Sequence, residues 1–213
     1  MRGVILDSDS FDRGDLDTAA LDNALDHWTH HRSTMPDEVP KRLEGYEVVV
    51  TNKVVIDATA MESSALQLIV VAATGTNNID LAAAARRGIT VCNVRDYASA
   101  AVSQHVFSLV LALVTHLGDY TRAVGQGRWQ QSKVFCMLDY PIRELAGLTL
   151  GIIGYGNLGR RVAQIAQGFQ MQVLICARPG SKAVPDGRVS LDTLLETADV
   201  ISLHCPLSDT TRK

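Results

Sequence analysis

The sequence predicts an α/β protein built from two successive parallel-sheet units. Three observations carry that prediction. Short apolar strands alternate with helical segments as far as residue 93, the pattern of a parallel sheet covered by helices. Residues 148–159, LTLGIIGYGNLG, join a buried strand to a glycine-rich turn and a helix. Two further apolar strands follow, at 171–175 and 200–205, close to the end of the chain.

The elements follow in order. Val4 to Leu6 form a short strand ending in Asp7, and residues 15–25 form a helix with Leu16, Ala19, Ala20 and Ala24 on one face. His27, His30 and His31, in DHWTHHR, decorate a half-exposed strand, because alternate residues point to opposite faces. No carboxylate or cysteine cluster accompanies them in a ligand-like pattern, so no metal site is expected. Pro36 and Pro40 bracket a polar segment leading to a strand at 47–51. Residues 57–66 are good helix formers, and 68–72 are an apolar run suited to a parallel strand buried on both faces. Residues 79–87 form a helix with Asp80 near its start and Gly88 at its end, and 90–93 form a further strand.

Residues 99–117, SAAVSQHVFSLVLALVTHL, predict one long helix that is apolar almost all round. Such a helix is buried on several sides, between domains or against a partner subunit. Residues 118–147 are mixed and irregular, with Trp129, Phe135 and Tyr140 as large apolar anchors of an arm that packs on a neighbour. The domain boundary falls near 97–100. Residues 1–98 are expected to form a flavodoxin-like unit, and the helix and arm to form a homodimer contact.

The second unit carries the chemistry. In Gly154-x-Gly156-x-x-Gly159 the first glycine makes a tight turn, the second admits a phosphate close to the backbone, and the third lets helix and strand pack. Leu158, Val162, Ile165, Ala166 and Phe169 continue at helical spacing. A dinucleotide diphosphate would lie on this helix N-terminus, against Gly154, Gly156, Asn157, Leu158 and Gly159. Some 20 residues beyond the glycines, NAD binders place an acid on the ribose 2′-hydroxyl. Here the window reads CARPG (176–180), with no acid before Asp186. NADP is therefore slightly favoured over NAD, with Arg178 pairing the 2′-phosphate and Ser181 and Lys182 adding contacts. The alternative is that Arg178 stacks on adenine and both cofactors are accepted. A doubly wound dinucleotide fold has about six strands, so this Rossmann unit is expected to be incomplete.

Composition limits the rest. Apolar residues make up 46% of the 213, enough for a core. A net charge of −3 without a long basic run gives no nucleic-acid or anionic-membrane surface. The longest apolar runs, 65–73 and 106–114, are too short to span a bilayer, and the N-terminus has no signal-peptide pattern. Cys92, Cys136, Cys176 and Cys205 are scattered without a CxxC. A cytoplasmic protein is expected.

At this point a family resemblance enters. TNKVVID (51–57), AATGTNNIDLAAAARRGITVCNV (72–94), YASAAVSQHVFSLVLAL (97–113), GRWQQSKVFC (127–136), PIRELAGLTLGIIGYGNLG (141–159) and DVISLHCPLSDTTR (199–212) occur in unbroken order. Together they resemble the D-isomer-specific 2-hydroxyacid dehydrogenases, in particular the glycerate dehydrogenase/hydroxypyruvate reductase group. The resemblance implies a catalytic domain split around an inserted Rossmann domain, with the active site in the cleft between them. It implies hydride transfer between NAD(P)H and a small 2-oxo or 2-hydroxy acid. Thr74 and Gly75 would offer backbone amides to the substrate carboxylate, with Asn52 and Lys53 lining the same pocket. A plain turn after a core strand is the other reading of Thr74–Gly75. Pro206 and Thr211 match positions that border the nicotinamide.

The family's catalytic arginine, glutamate and histidine belong to segments that would follow Lys213. No catalytic residue is assigned within the chain, and His204 is read as a strand-end residue. The chain is expected to be an N-terminal portion of a reductase whose 213 residues alone do not turn over substrate. Two other readings stand beside it: a non-catalytic, corepressor-like NAD(P)-binding protein, and an inactive fragment.

Overall fold

Valine and isoleucine runs build the first sheet. The computed structural model describes every residue except Ser63, Pro179, Gly180, Lys182, Asp209, Thr210 and Lys213. Contacts divide the chain into two units, Met1–Arg95 and Asp96–Lys213. In the first, β1 (Arg2–Ile5), β2 (His27–His30), β3 (Val48–Thr51), β4 (Leu68–Val71) and β5 (Thr90–Asn93) are all parallel, in the order β2-β1-β3-β4-β5. The order reverses between β1 and β3, the switch point of a doubly wound sheet. The helices are α1 (Ala19–Asp22), α2 (Val39–Leu43), α3 (Ala58–Glu62) and α4 (Leu81–Arg86). Val49, Ile69 and Val71 pack with Leu43, Ile56, Met61 and Ala84 in one core. Asp80 caps α4 by accepting the Ala83 N–H at 2.8 Å, and Gly88, at φ +70°, takes the left-handed turn that ends it.

Local hydrogen bonding shortens two predicted helices. The helix expected over 15–25 forms only at Ala19–Asp22. The Asp12 carboxylate accepts the N–H groups of Gly14, Asp15 and Leu16 at 2.7, 3.2 and 3.3 Å, holding that segment in turns. The helix expected over 57–66 ends at Glu62, and the Ser64 hydroxyl donates back to the Met61 carbonyl at 2.9 Å. β4 is not buried on both faces: Ile69 and Val71 are enclosed, whereas Leu68 and Val70 are half-buried. The core of α2, α3 and α4 residues lies on the Ile69–Val71 side.

In the second unit β6 (Thr149–Ile153) lies between β7 (Gln172–Ile175) and β8 (Val200–Leu203), all parallel. A fourth strand, third in chain order, is reduced to one bridge, in which Val189 N–H donates to the Ile175 carbonyl at 2.9 Å and Ala177 N–H to the Val189 carbonyl at 2.8 Å. With Val189 outermost, the order is that of the first four strands of a dinucleotide fold. Helix α5 (Ser99–Val114) packs on α7 (Asn157–Gly168), where Phe107 stacks on Phe169 at 5.4 Å beside Val162 and Ala166. Helix α8 (Leu191–Thr197) packs on β6 through Leu194, which leaves no room for a β-carbon on Gly151.

The long helix predicted over 99–117 is two helices. The Thr115 hydroxyl donates to the Leu111 carbonyl at 2.6 Å, and His116 adopts φ +50°, which stops α5. Helix α6 (Leu117–Gly125) then departs at 62° through residues predicted to be irregular. No single helix among the described residues is long and apolar enough to cross a membrane. Beyond α6, Tyr120 donates its hydroxyl to the Tyr140 carbonyl at 2.9 Å and meets its ring edge-on. Tyr140 is thus anchored, but Trp129 and Phe135 stay exposed, as do Leu109 and Leu113 on α5.

Candidate functional site

The carboxyl ends of β6, β7 and β8 open into a cavity of about 700 Å³. Its lining gathers Gly154, Tyr155 and Gly156 from the turn after β6, Cys176 to Arg178 and Ser181 after β7, Arg188 before the Val189 bridge, and His204 to Pro206 and Thr211 after β8. In open α/β sheets the crevice beyond the strand ends, at the change in strand order, is where ligands bind. Of the residues predicted to hold a cofactor, Gly154, Gly156, Arg178, Pro206 and Thr211 line this one cavity. Ser181 also lies there, while Lys182 falls outside the described residues.

The three glycines differ in what they leave room for. A β-carbon on Gly154 would overlap the backbone of His204 and Cys205, and one on Gly159 would overlap the Gly154 carbonyl oxygen. Gly156 is different: a β-carbon there would meet nothing within 4 Å, and its φ of −82° needs no glycine. Nothing in the fold's packing requires a bare position here, and the space beside it is open. Gly156 also caps α7, whose first N–H groups have no partner within the helix. With the helix dipole, that end is suited to a diphosphate.

The side chains of Asn157 and Leu158, also predicted to hold the cofactor, are engaged elsewhere and do not line the cavity. The Asn157 side chain donates to Asp96 at 2.6 Å and accepts from Arg160 at 3.0 Å, and Leu158 packs on the core. Thr211 ties its loop together: its hydroxyl donates to the Pro206 carbonyl at 2.8 Å and accepts the Ser208 N–H at 2.8 Å. His204 shares a 2.8 Å hydrogen bond with the Ser202 hydroxyl, and burial pushes its pKa below the ordinary imidazole value. Burial likewise raises the Cys176 thiol, which the charge of Arg188 partly offsets.

The predicted acid-binding residues lie on the first unit, at the carboxyl ends of the paired strands β3 and β4. Asp7, buried at the end of β1, accepts the N–H groups of Asn52 and Lys53 at 2.9 and 2.7 Å. The Asn52 amide is turned to Ser10, whose carbonyl and hydroxyl it meets at 3.2 and 3.0 Å. Its part is to hold the loop, leaving Lys53 exposed at the end of β3. Lys53 also borders a cavity of about 750 Å³ with Arg32, Thr34 and Val54, a lining that Thr74 and Gly75 do not share. Thr74 and Gly75 are exposed after β4, and the Asn93 amide donates to the Thr74 carbonyl at 2.7 Å. In a planar trans peptide the C=O and N–H point in opposite directions, so this bond aims the Gly75 N–H away from Asn93.

Asp7, Asn93, Tyr155 and Arg188 were not singled out from sequence. Asp7 and Asn93 carry a readable signal, a polar residue just past or at the end of a parallel strand, where ligands bind.

Residues 107–213, half of the chain, match the family described as D-isomer specific 2-hydroxyacid dehydrogenase, NAD binding domain. The chain belongs to the D-isomer-specific 2-hydroxyacid dehydrogenases. It is 43% identical over 205 residues to the glycerate dehydrogenase of Methylorubrum extorquens, covering 94% of this chain and 64% of that one. It is 35% identical over 213 residues to the hydroxypyruvate reductase of Blautia hydrogenotrophica, covering 97% and 66%. The crystal structure of the TT0316 protein from Thermus thermophilus superposes with a TM-score of 0.80 at 30% identity, covering 99% of this chain and 67% of that one. The chain thus spans just under two thirds of the curated relatives it matches. As the NAD-binding part of a 2-hydroxyacid dehydrogenase, the second unit has residues that fit a dinucleotide. They are an open cradle at Gly156, a helix end, and arginines without a neighbouring carboxylate among the described residues of the cavity lining.

Proposed function

We propose that the protein is an oxidoreductase that moves hydride between NAD(P)H and a small 2-oxo or 2-hydroxy acid of the hydroxypyruvate, glyoxylate and glycerate type. The observation that carries this reading is the bare Gly156 position at the N-terminus of α7, inside a cavity at the strand-order change. The 43% identity to a glycerate dehydrogenase supports the substrate class.

When bound, the nicotinamide supplies or accepts the hydride. The chain's own residues bind and orient. Backbone N–H groups from Gly156 to Gly159 meet the diphosphate, and Pro206 and the Thr211-tied loop border the nicotinamide end. Arg178 pairs a 2′-phosphate, which favours NADPH over NADH. On the first unit the Gly75 N–H and the Lys53 ammonium receive the substrate carboxylate, on a frame set by Asp7, Asn52 and Asn93. None of these residues is assigned the proton transfer, which the family resemblance gives to a histidine whose pKa a glutamate raises. The exposed apolar residues of α5 and the arm, Leu109, Leu113, Trp129 and Phe135, form a homodimer contact.

The test is reduction of hydroxypyruvate and glyoxylate by the protein expressed from its whole reading frame, read as loss of reduced-nicotinamide absorbance. Turnover with either nucleotide is expected, with NADPH bound more tightly. Absence of turnover with both acids and both nucleotides overturns the reading, and tighter NADH binding overturns the cofactor preference.

A further inference from the structure

Two arginines face the nucleotide cavity, and they are held differently. Arg188 donates from Nη1 to the Cys176 carbonyl at 3.1 Å, and its guanidinium carbon lies 5.8 Å from the centre of the Tyr155 ring. That distance is within cation–π reach of about 6 Å. The two contacts fix the guanidinium of a half-buried side chain. Arg178 is exposed, and its guanidinium makes no ion pair among the described residues. No Asp or Glu occurs among the described residues lining the cavity. Two permanent positive charges therefore line the cavity, with no carboxylate beside them among its described lining residues.

Cys176, which Arg188 grips, directly follows β7. An acid just past the end of this strand is what recognises the ribose 2′-hydroxyl in NAD-specific sites, and an arginine nearby accommodates a 2′-phosphate. Arg188 reaches the same place from the neighbouring strand position. One of its five donors is spent on Cys176, so the planar fork retains donors for a phosphate. Because its plane is already set, little side-chain freedom is lost on binding.

We propose that Arg188 is the principal determinant of nucleotide choice, a pre-aligned anchor for a 2′-phosphate, with Arg178 adding a second charge from the solvent side. The proposal rests on the reading of this cavity as the cofactor site. It separates two positions that a linear sequence window treats as one, since Arg178 falls in the expected window and Arg188 does not.

The experiment compares ligands that differ only in the 2′-phosphate, on the full chain: adenosine 2′,5′-bisphosphate against 5′-AMP, and NADPH against NADH, by calorimetric titration. Arg188→Gln should weaken both 2′-phosphorylated ligands roughly ten- to hundredfold and change the other two by less than about twofold. Arg188→Lys keeps the charge without the planar fork and should fall between, which covers the case of a poorly folded glutamine variant. Tyr155→Leu, which removes the ring beneath the guanidinium, should give a smaller loss of the same selectivity. An equal loss for phosphorylated and unphosphorylated ligands overturns the proposal and makes Arg188 a diphosphate or purely structural contact. Unchanged NADPH binding in Arg188→Gln also overturns it. Wild-type protein that binds none of the four ligands overturns the cofactor reading as well.

Discussion

The Gly154 carbonyl oxygen occupies the volume that a β-carbon on Gly159 would need. Turn and helix touch there through backbone alone. Gly159→Ala should therefore destabilise the protein by roughly 1–3 kcal/mol, the range for overpacking a tight core. Gly156→Ala should do the reverse: leave the thermal midpoint nearly unchanged and weaken nucleotide binding at least about tenfold, because its β-carbon enters only the open cradle. Paired thermal melts and nucleotide titrations check both. A Gly156→Ala protein that binds as wild type would remove the ligand-facing role of that position.

On the first unit, Asp7 is the common acceptor for two successive N–H groups. Asp7→Asn offers one carbonyl oxygen in place of two carboxylate oxygens, so the Asn52 or Lys53 N–H loses its partner. The expected loss is about 1–3 kcal/mol of stability, together with a higher KM for the acid and little change in KM for the nucleotide. Denaturant titration and steady-state kinetics on the full chain separate these effects. A KM change confined to the nucleotide would contradict this placement.

Leu113 and Phe135 are 74% and 91% exposed, which is unusual for large apolar side chains. If they meet a second copy, Leu113→Asp with Phe135→Asp should convert a dimer to a folded monomer. Light scattering across a concentration series reads the result. A wild-type monomer at micromolar concentration counts against the contact.

Protonation of His204 should weaken the fold. Burial lowers its pKa in the native state, whereas the unfolded imidazole titrates near about 6.5. Below that value the unfolded chain binds more protons than the native one, so stability falls with pH. The stabilisation is complete above the unfolded pKa and is lost as pH drops through the native one. His31, lowered by burial and by the charge of Arg42, acts in the same direction. Urea midpoints compared at about pH 7.5 and about pH 5.5, on either side of the unfolded value, should therefore drop on acidification. His204→Gln, which can still reach the Ser202 hydroxyl, should show a smaller drop, and equal drops would refute the assignment.

Where helix and strand signals agreed with local hydrogen bonding, the fold was legible in the sequence. The run from β6 through Gly154 to α7 needs the same residues for packing and for the turn, so one pattern reports both. The segment at 15–25 was not legible. Helical spacing there competes with Asp12, whose carboxylate captures three backbone N–H groups, and composition does not reveal which wins. The break at His116 has no glycine or proline to announce it. Helix α8 was overlooked, although Ser190 is a good N-cap and accepts the Thr193 N–H at 3.0 Å. In the site, the glycines were readable because a motif fixes their spacing. Arg188 was not, because the third strand that carries it past β7 is too short for any periodicity to mark it.

That shortened strand has a consequence for how the protein can change over generations. The glycine end of the cavity is locked by close backbone packing among Gly154, Gly159, His204 and Cys205. The Arg178 end is tied, among the described residues, by the single bridge between Cys176 and Val189, and none of the described residues among 177–188 belongs to a buried cluster. With the cavity as the proposed cofactor site, substitutions in that stretch would alter which nucleotide is preferred while every core contact stays in place. Nucleotide preference is therefore a trait that can drift, or be redesigned, without renegotiating the fold.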